Sequence, residues 1–403
     1  MTTASLIPLE TALAHILEQA PPLNARERVP LSQALGRTLA DAQRVPADVP
    51  PADNSAVDGY ALRCADLAGN RPLPVSARIP AGTPAPALAP GTAARLFTGS
   101  ELPVGADAVV MQEDVDIGAG EIRIKTTVCP GQNIRRRGQD LRRGDLALAR
   151  GTRLRPQELG LLASMGIAEV PVLARPRVAV LTTGDELVEP GQPLAPGQIY
   201  NTNRFTLLGL LTQAGCEVTV CETLRDDRAA TRTTLSRAAG SADLVLTSGG
   251  VSVGEEDHVR AVLEESGGLS LWRLAIKPGK PLAFGRVQDT PVLGLPGNPA
   301  AVLVTFLMVV MPFLRRCQGQ PDPVQGERLP ALFTVPSPSI RREFVRARKT
   351  LQDGRPQLEA YPNQSSGVLS SACWASGLAV VPEHGTVHPG DLLTYYSFAE
   401  LLS

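Results

Sequence analysis

From Arg177 onward one pattern repeats: a short apolar run, a glycine-bearing turn, then a helix-like stretch. RVAVLTTG reads as a strand into a turn, TNRFTLLGLLTQAG as a helix ending in glycine, and CEVTVCETL as a strand. RAATRTTLSRAAG, ADLVLTSGG, DHVRAVLEESGG and PVLGLPGNP carry the alternation on into a long apolar helix. Such alternation predicts a doubly wound, parallel-type sheet with helices on both faces, over residues 177–326.

The rest of the chain has a different texture, and 403 residues are too many for one ordinary core. Leu9, Leu13, Ile16 and Leu17, then Leu31, Leu35 and Leu39, have helical spacing. PQELGLLASMGIAEV returns to it, which predicts a discontinuous helical domain from 1–44 plus 145–176. Between these, 45–144 is punctuated by Pro and Gly and reads as an inserted β-rich domain. Residues 327–403, with EFVRARKTL, GLAVVPE and DLLTYYS, predict a C-terminal β-barrel domain. The fold class is therefore α/β multidomain.

In an open parallel sheet, ligands bind beyond the carboxyl ends of the strands. Four glycine-bearing loops fall there: TTGDE (182–186), TSGGVSVGEED (247–257), KPGKP (277–281) and GLPGNP (294–299). Glycines let backbone N–H groups approach an anion, and a following helix start favours phosphate. Each turn alone is an ordinary tight connection; four on one sheet edge point to a phosphate-bearing ligand. The candidates for holding it are Thr183, Gly184, Ser248, Gly249, Gly250, Gly297 and Asn298, with Lys277 and Lys280 as anion clamps on a rigid turn. Glu186, Asp226 and Asp257 lie at or near the same strand ends, where a hard cation would let acid and phosphate coexist. Glu255 and Glu256 read as solvated charges at a helix N-terminus.

Composition removes other classes. Net charge is −1 and aromatics are 4%, so neither a nucleic-acid footprint nor a stacking platform is expected. The run AAVLVTFLMVVMPFL is shorter than a membrane span and contains Pro312, so a buried helix is expected and no membrane. The N-terminus lacks signal-peptide features, and six scattered cysteines without C-x-x-C fit a reducing, cytoplasmic setting. His384 and His388 sit beside Gly385 and Pro389, which argues against a helical zinc pair. No G-x-S-x-G elbow is present.

DNSAVDGYAL (53–62), FTGSELPVGADAVVMQE (97–113), LTTGDEL (181–187), GQIYNTNR (197–204), TSGGVSVGEEDH (247–258), LAIKPGKP (274–281) and GLPGNP, in this order, resemble the molybdopterin molybdenumtransferase family, MoeA and the gephyrin E-domain. The resemblance spans nearly the whole chain. It implies insertion of molybdenum from molybdate into adenylylated molybdopterin, Mg²⁺-assisted, with release of AMP. It also implies a homodimer whose shared active site forms between the α/β domain of one subunit and the insertion domain of the other. Transient contact with molybdopterin adenylyltransferase and with later cofactor-maturation proteins belongs to the same expectation.

Carried over by motif, Asp58, Thr98 and Asp140 match functional positions of the insertion side. Glu186, Asp226, Asp257, Lys277, Pro296 and Pro299 match those of the α/β side, with Asp257, Glu186 and Asp226 as the expected Mg²⁺ ligands. Ser252, Lys277 and Pro278 resemble part of a molybdate pocket, completed by Arg342 or Arg346 with Ser371. Arg273 stands where some bacterial members have lysine. Three rivals were weighed. An adenylyltransferase resembles the central domain alone, and the segments before 176 and after 326 argue against it. A receptor scaffold would show a peptide partner in a pull-down. A sugar- or nucleotide-binding protein would bind AMP-like ligands without molybdate dependence.

Overall fold

The computed structural model describes residues 6–69, 71–225, 227–251, 258–265, 269–321 and 325–402. It is a mixed α/β structure built on several sheets. The largest has seven strands, in the order Leu6–Ile7, Ser270–Leu274, Pro281–Val287, Thr290–Leu295, Leu244–Ser248, Arg177–Thr183, Glu217–Leu224. The last four in that order pair in parallel. Side chains alternate faces: Val178, Val180, Leu244, Leu246, Leu293 and Leu295 enter one core cluster, and Ala179, Leu181, Val245 and Val292 the other. Both faces of Thr290–Leu295, Leu244–Ser248 and Arg177–Thr183 are buried, which is why these three read as near-continuous apolar runs, whereas the edge strand Glu217–Leu224 mixes Glu and Thr with its apolar residues.

Helices cover each face. Thr202–Gln213 and the apolar run Pro299–Cys317 pack on one side, Arg228–Ser241 and His258–Glu265 on the other. Pro299–Cys317 is long and apolar enough to cross a membrane, but 72% of its hydropathic window is buried inside the protein. The sheet is not all parallel. Pro281–Val287 pairs antiparallel with both Thr290–Leu295 and Ser270–Leu274, forming a hairpin that turns at Gln288, whose φ is 55°.

The helical domain expected from 1–44 plus 145–176 takes a different form. Leu9–Glu18 is a helix, but its apolar face, Leu9, Ala12 and Ile16, packs into the α/β core with Val178 and Phe284. The segment before it, Leu6–Ile7, joins the same sheet in parallel with Arg273–Leu274. Leu31, Leu35 and Leu39 do not form a helix. Pro30 precedes a single 3₁₀ turn at Leu31–Gln33, Gly36 sits at φ 73°, and Leu35 is 56% exposed. The small unit that remains pairs Arg26–Pro30 with Glu169–Leu173 and Gln43–Arg44 with Leu146–Leu148, under the helix Pro156–Ser164. Val29, Leu39, Leu154, Leu162 and Val172 form its core. Arg153 fastens it to its neighbours, donating from Nη2 to Gln213 O at 2.7 Å and from Nη1 to Leu402 O at 3.0 Å.

Two further large sheets lie outside this core. A six-stranded one orders Ala108–Met111, Gly59–Leu62, Ala93–Leu96, Leu73–Ile79, Glu121–Ile124 and Val115–Gly118. In the other, Arg342–Gln352 pairs with Arg355–Ala360 and Gly377–Val381, then Leu392–Ser397 and Glu327–Pro330 follow. Leu332 N–H donates to Leu358 O at 2.8 Å and links the two ends of that path. Ile276–Lys277, leaving the α/β sheet, adds to this second sheet in parallel with Arg342–Glu343.

Ile16 has no exposed surface and lies in the α/β cluster. Ile16→Ala is expected to cost about 2–5 kcal/mol of stability. The loss is read as an earlier urea transition of Trp272 fluorescence in a Trp374→Phe background, because the Trp272 ring packs 5.3 Å from His15 on the same helix. An unmoved transition would remove this helix from the α/β core.

Candidate functional site

The parallel strands end together, and their loops are cross-tied by side chains that the sequence places at their tips. Asn203 Nδ2 donates to Ser248 Oγ at 2.9 Å and to Gly297 O at 2.6 Å, and Ser248 Oγ donates to Pro296 O at 3.1 Å. Asn201 Nδ2 donates to Thr182 Oγ1 at 2.7 Å. Backbone packing is close at Gly249: φ is 90°, and a Cβ there would meet Thr183 Oγ1 at 2.5 Å. A side chain there would displace the Thr183 hydroxyl and would have to adopt a φ that L residues rarely take.

These tips line a cleft of about 810 Å³. Of the residues expected from sequence, it brings together Thr183, Gly184, Glu186, Ser248, Gly249, Gly250, Lys277, Pro278, Lys280, Pro296, Gly297, Asn298 and Pro299. Asp226, Ser252 and Asp257 lie outside the described residues. One wall comes from elsewhere: Arg341, Gln364, Ser365 and Ser366 of the C-terminal unit line the same cleft. Ser366 O accepts from Ala300 N–H at 2.9 Å, in the first turn of the helix starting at Pro299. Arg341 and Asn203 had no assigned role in the sequence reading. Arg341 directly precedes Arg342, and Asn203 lies inside GQIYNTNR, so neither is distinguishable from its neighbours in the sequence.

Charge on the cleft is mixed. Lys277 Nζ lies 2.9 Å from Glu343 Oε1. Lys280 and Arg341 form no ion pair among the described residues, and Glu186 is exposed. Amide dipoles and side-chain cations suit an anionic ligand, with a carboxylate available to a hard metal.

The expected arginine–serine pair lies deeper. Arg346 is 1% exposed; its Nε donates to Ser371 Oγ at 3.0 Å and its Nη2 to Ser365 O at 3.1 Å. Burial brings its guanidinium down to about 10. Arg346 and Ser371 thus brace the 361–371 loop from behind instead of facing the cleft. Arg342 is also engaged, paired with Glu10 and with Glu383. Its neighbour Arg341 is the arginine of this segment on the cleft wall.

Asp58, Thr98 and Asp140 do not line this chain's own cleft. Asp58 and Thr98 are in contact: Thr98 N–H and Oγ1 donate to Asp58 Oδ1 at 2.7 and 2.8 Å. The backbone donor first, and the hydroxyl second, hold the Asp58 carboxyl below its ordinary value. Asp140 is exposed, its N–H donating to Val49 O at 3.0 Å. Nearby, Asp48 and Asp53 take up Arg137 and Arg136 of the basic knot.

Thr98→Ala deletes the hydroxyl donor and keeps the backbone one. Carbon-detected NMR titration is expected to show the Asp58 carboxyl rising, yet still below its ordinary value. A carboxyl that fails to move would mean the hydroxyl contributes nothing.

Three family models match the chain. They are the MoeA N-terminal region (domain I and II) over 7–166, the probable molybdopterin binding domain over 179–316, and the MoeA C-terminal region (domain IV) over 328–398. A molybdopterin molybdenumtransferase of Haemophilus influenzae is 41% identical over 98% of this chain and all of its own length. Molybdopterin molybdenumtransferase 2 of Mycobacterium tuberculosis is 40% identical over 88% of this chain and 90% of its own. The crystal structure of a molybdopterin biosynthesis moeA protein from Pyrococcus horikoshii OT3 superposes with a TM-score of 0.81 at 32% identity, covering 97% of this chain and all of that one.

Proposed function

The chain belongs to the molybdopterin molybdenumtransferase family and is a molybdotransferase of molybdenum cofactor biosynthesis, and from that premise we propose that it moves molybdenum from molybdate into adenylylated molybdopterin with release of AMP, assisted by Mg²⁺. The observation that carries the reading is the convergence of four glycine-bearing strand ends on one cleft with Lys280 and Arg341 on its wall.

In this reading backbone N–H groups around Gly249, Gly250 and Gly297 hold the substrate's phosphates or pterin. Lys277, Pro278 and Arg341 hold molybdate beside the dithiolene sulfurs, so positioning supplies much of the rate. Arg341 takes the role first given to Arg342 or Arg346, because it is the one on the cleft wall. Mg²⁺ fits the donor chemistry in part. Glu186 offers a hard carboxylate on the cleft, while among the described residues no cluster of three His, Cys, Asp or Glu exists. Such a cation takes one or two carboxylates and draws its remaining oxygens from substrate and water. Asp257, with Glu186 or Asp226, would hold it, and when bound it would supply Lewis-acid polarisation of the phosphoanhydride.

In the same reading Asp58, Thr98 and Asp140 act on the cleft of a second copy, in a homodimer with a shared site. The six cysteines are all free, in keeping with a cytoplasmic enzyme.

The test is AMP release from adenylylated molybdopterin. Wild type is expected to release AMP when molybdate and Mg²⁺ are both supplied. Asp257→Ala should lower that rate by roughly a hundredfold or more, the scale of a lost metal contribution of several kcal/mol. Release indifferent to molybdate would overturn the transfer reaction. An unimpaired variant would remove Asp257 from the chemistry and leave the reaction standing.

A further inference from the structure

The lysine at the edge of the cleft is held by a residue of another unit. Lys277 Nζ lies 2.9 Å from Glu343 Oε1, the lysine side chain being 44% exposed and the glutamate 12%. The carboxylate is therefore the anchored member and the ammonium the one being aimed. Backbone pairing sets the two residues side by side. Ile276–Lys277 runs parallel to Arg342–Glu343 with Lys277 opposite Glu343, and Arg342 N–H donates to Ala275 O at 2.7 Å.

An ammonium has three N–H donors, so one bond to Glu343 leaves two for an anion. A lysine stem otherwise samples many rotamers and loses that freedom on binding. We infer that Glu343 is a positioning residue for oxyanion binding, fixing the Lys277 ammonium at the cleft so that the C-terminal unit helps set affinity for the tetrahedral oxyanion. The inference rests on the reading of Lys277 as a molybdate-holding residue.

An opposing effect must be weighed: a carboxylate near an oxyanion repels it. The Glu343 carboxylate already faces the Lys277 ammonium at 2.9 Å, which offsets that repulsion. Among the described residues, Lys277, Lys280 and Arg341 also outnumber Glu186 and Glu343 along this margin. Orientation is thus expected to win, and the sign of the effect decides between the two.

The experiment follows AMP release against molybdate concentration for wild type, Glu343→Gln, Lys277→Gln and the double variant. Glu343→Gln should raise the KM for molybdate roughly tenfold, as expected for loss of one charge-assisted hydrogen bond. The KM for adenylylated molybdopterin should stay put, and kcat should fall by less than the molybdate KM rises. In the Lys277→Gln background the Glu343 change should add nothing, which a purely structural role would not produce. Glu343→Asp, keeping charge with shorter reach, should fall between, and it carries the comparison if Glu343→Gln does not fold.

A molybdate KM that is unchanged or lowered in Glu343→Gln overturns the inference, as does an equal rise without Lys277. Molybdate-independent release by the wild type would overturn the transfer reaction and this inference together. Molybdate-dependent release with an unaltered Glu343→Gln overturns the inference alone.

Discussion

The short ladder between Ile276–Lys277 and Arg342–Glu343 is the contact on which the cleft depends. It takes a strand that has just left the central sheet and makes it the edge of a second sheet. Everything the C-terminal unit gives to the cleft follows from that register. Arg341 arrives one residue before the paired segment, and the loop carrying Gln364, Ser365 and Ser366 closes over the helix that starts at Pro299. The apolar core is continuous across the junction, since Phe344, Leu378 and Leu401 pack in the same cluster as Val180 and Leu293. Apolar burial holds the two units together, and the ladder fixes how they meet.

Buried charge serves the same end. Arg346 is costly to bury, and its hydrogen bonds to Ser371 and Ser365 offset that cost only because the loop is in place. The arginine behind the wall and the arginine on it thus divide two tasks, shape and charge, that a single residue could not perform at once.

Much of this was legible in the sequence, for a physical reason. Strands buried on both faces must be largely apolar, so the three inner parallel strands announced themselves, and glycines marked where the chain had to pass closely, as at Gly249. The hairpin from Pro281 to Leu295 was not legible, because it turns at Gln288 without the Asn-Gly or Asp-Gly pair that flags such turns. Periodicity set Leu9, Leu13, Ile16 and Leu17 at helical spacing, but a stripe does not say what it packs against. The same limit hid the C-terminal wall of the cleft. Arg341, Arg342 and Arg346 look alike in a string, and only strand register decides which meets the ligand, which pairs with Glu10, and which is buried.

Arg153 was described as a fastener between three parts of the chain, and its acceptors are both main-chain carbonyls, at Gln213 and Leu402. A carbonyl belongs to every amino acid. Drift at positions 213 or 402 therefore leaves the fastener's acceptors in place, whereas a change at 153 removes both bonds at once. The joint is tolerant on one side and brittle on the other, and the whole of its heritable vulnerability is concentrated in a single codon.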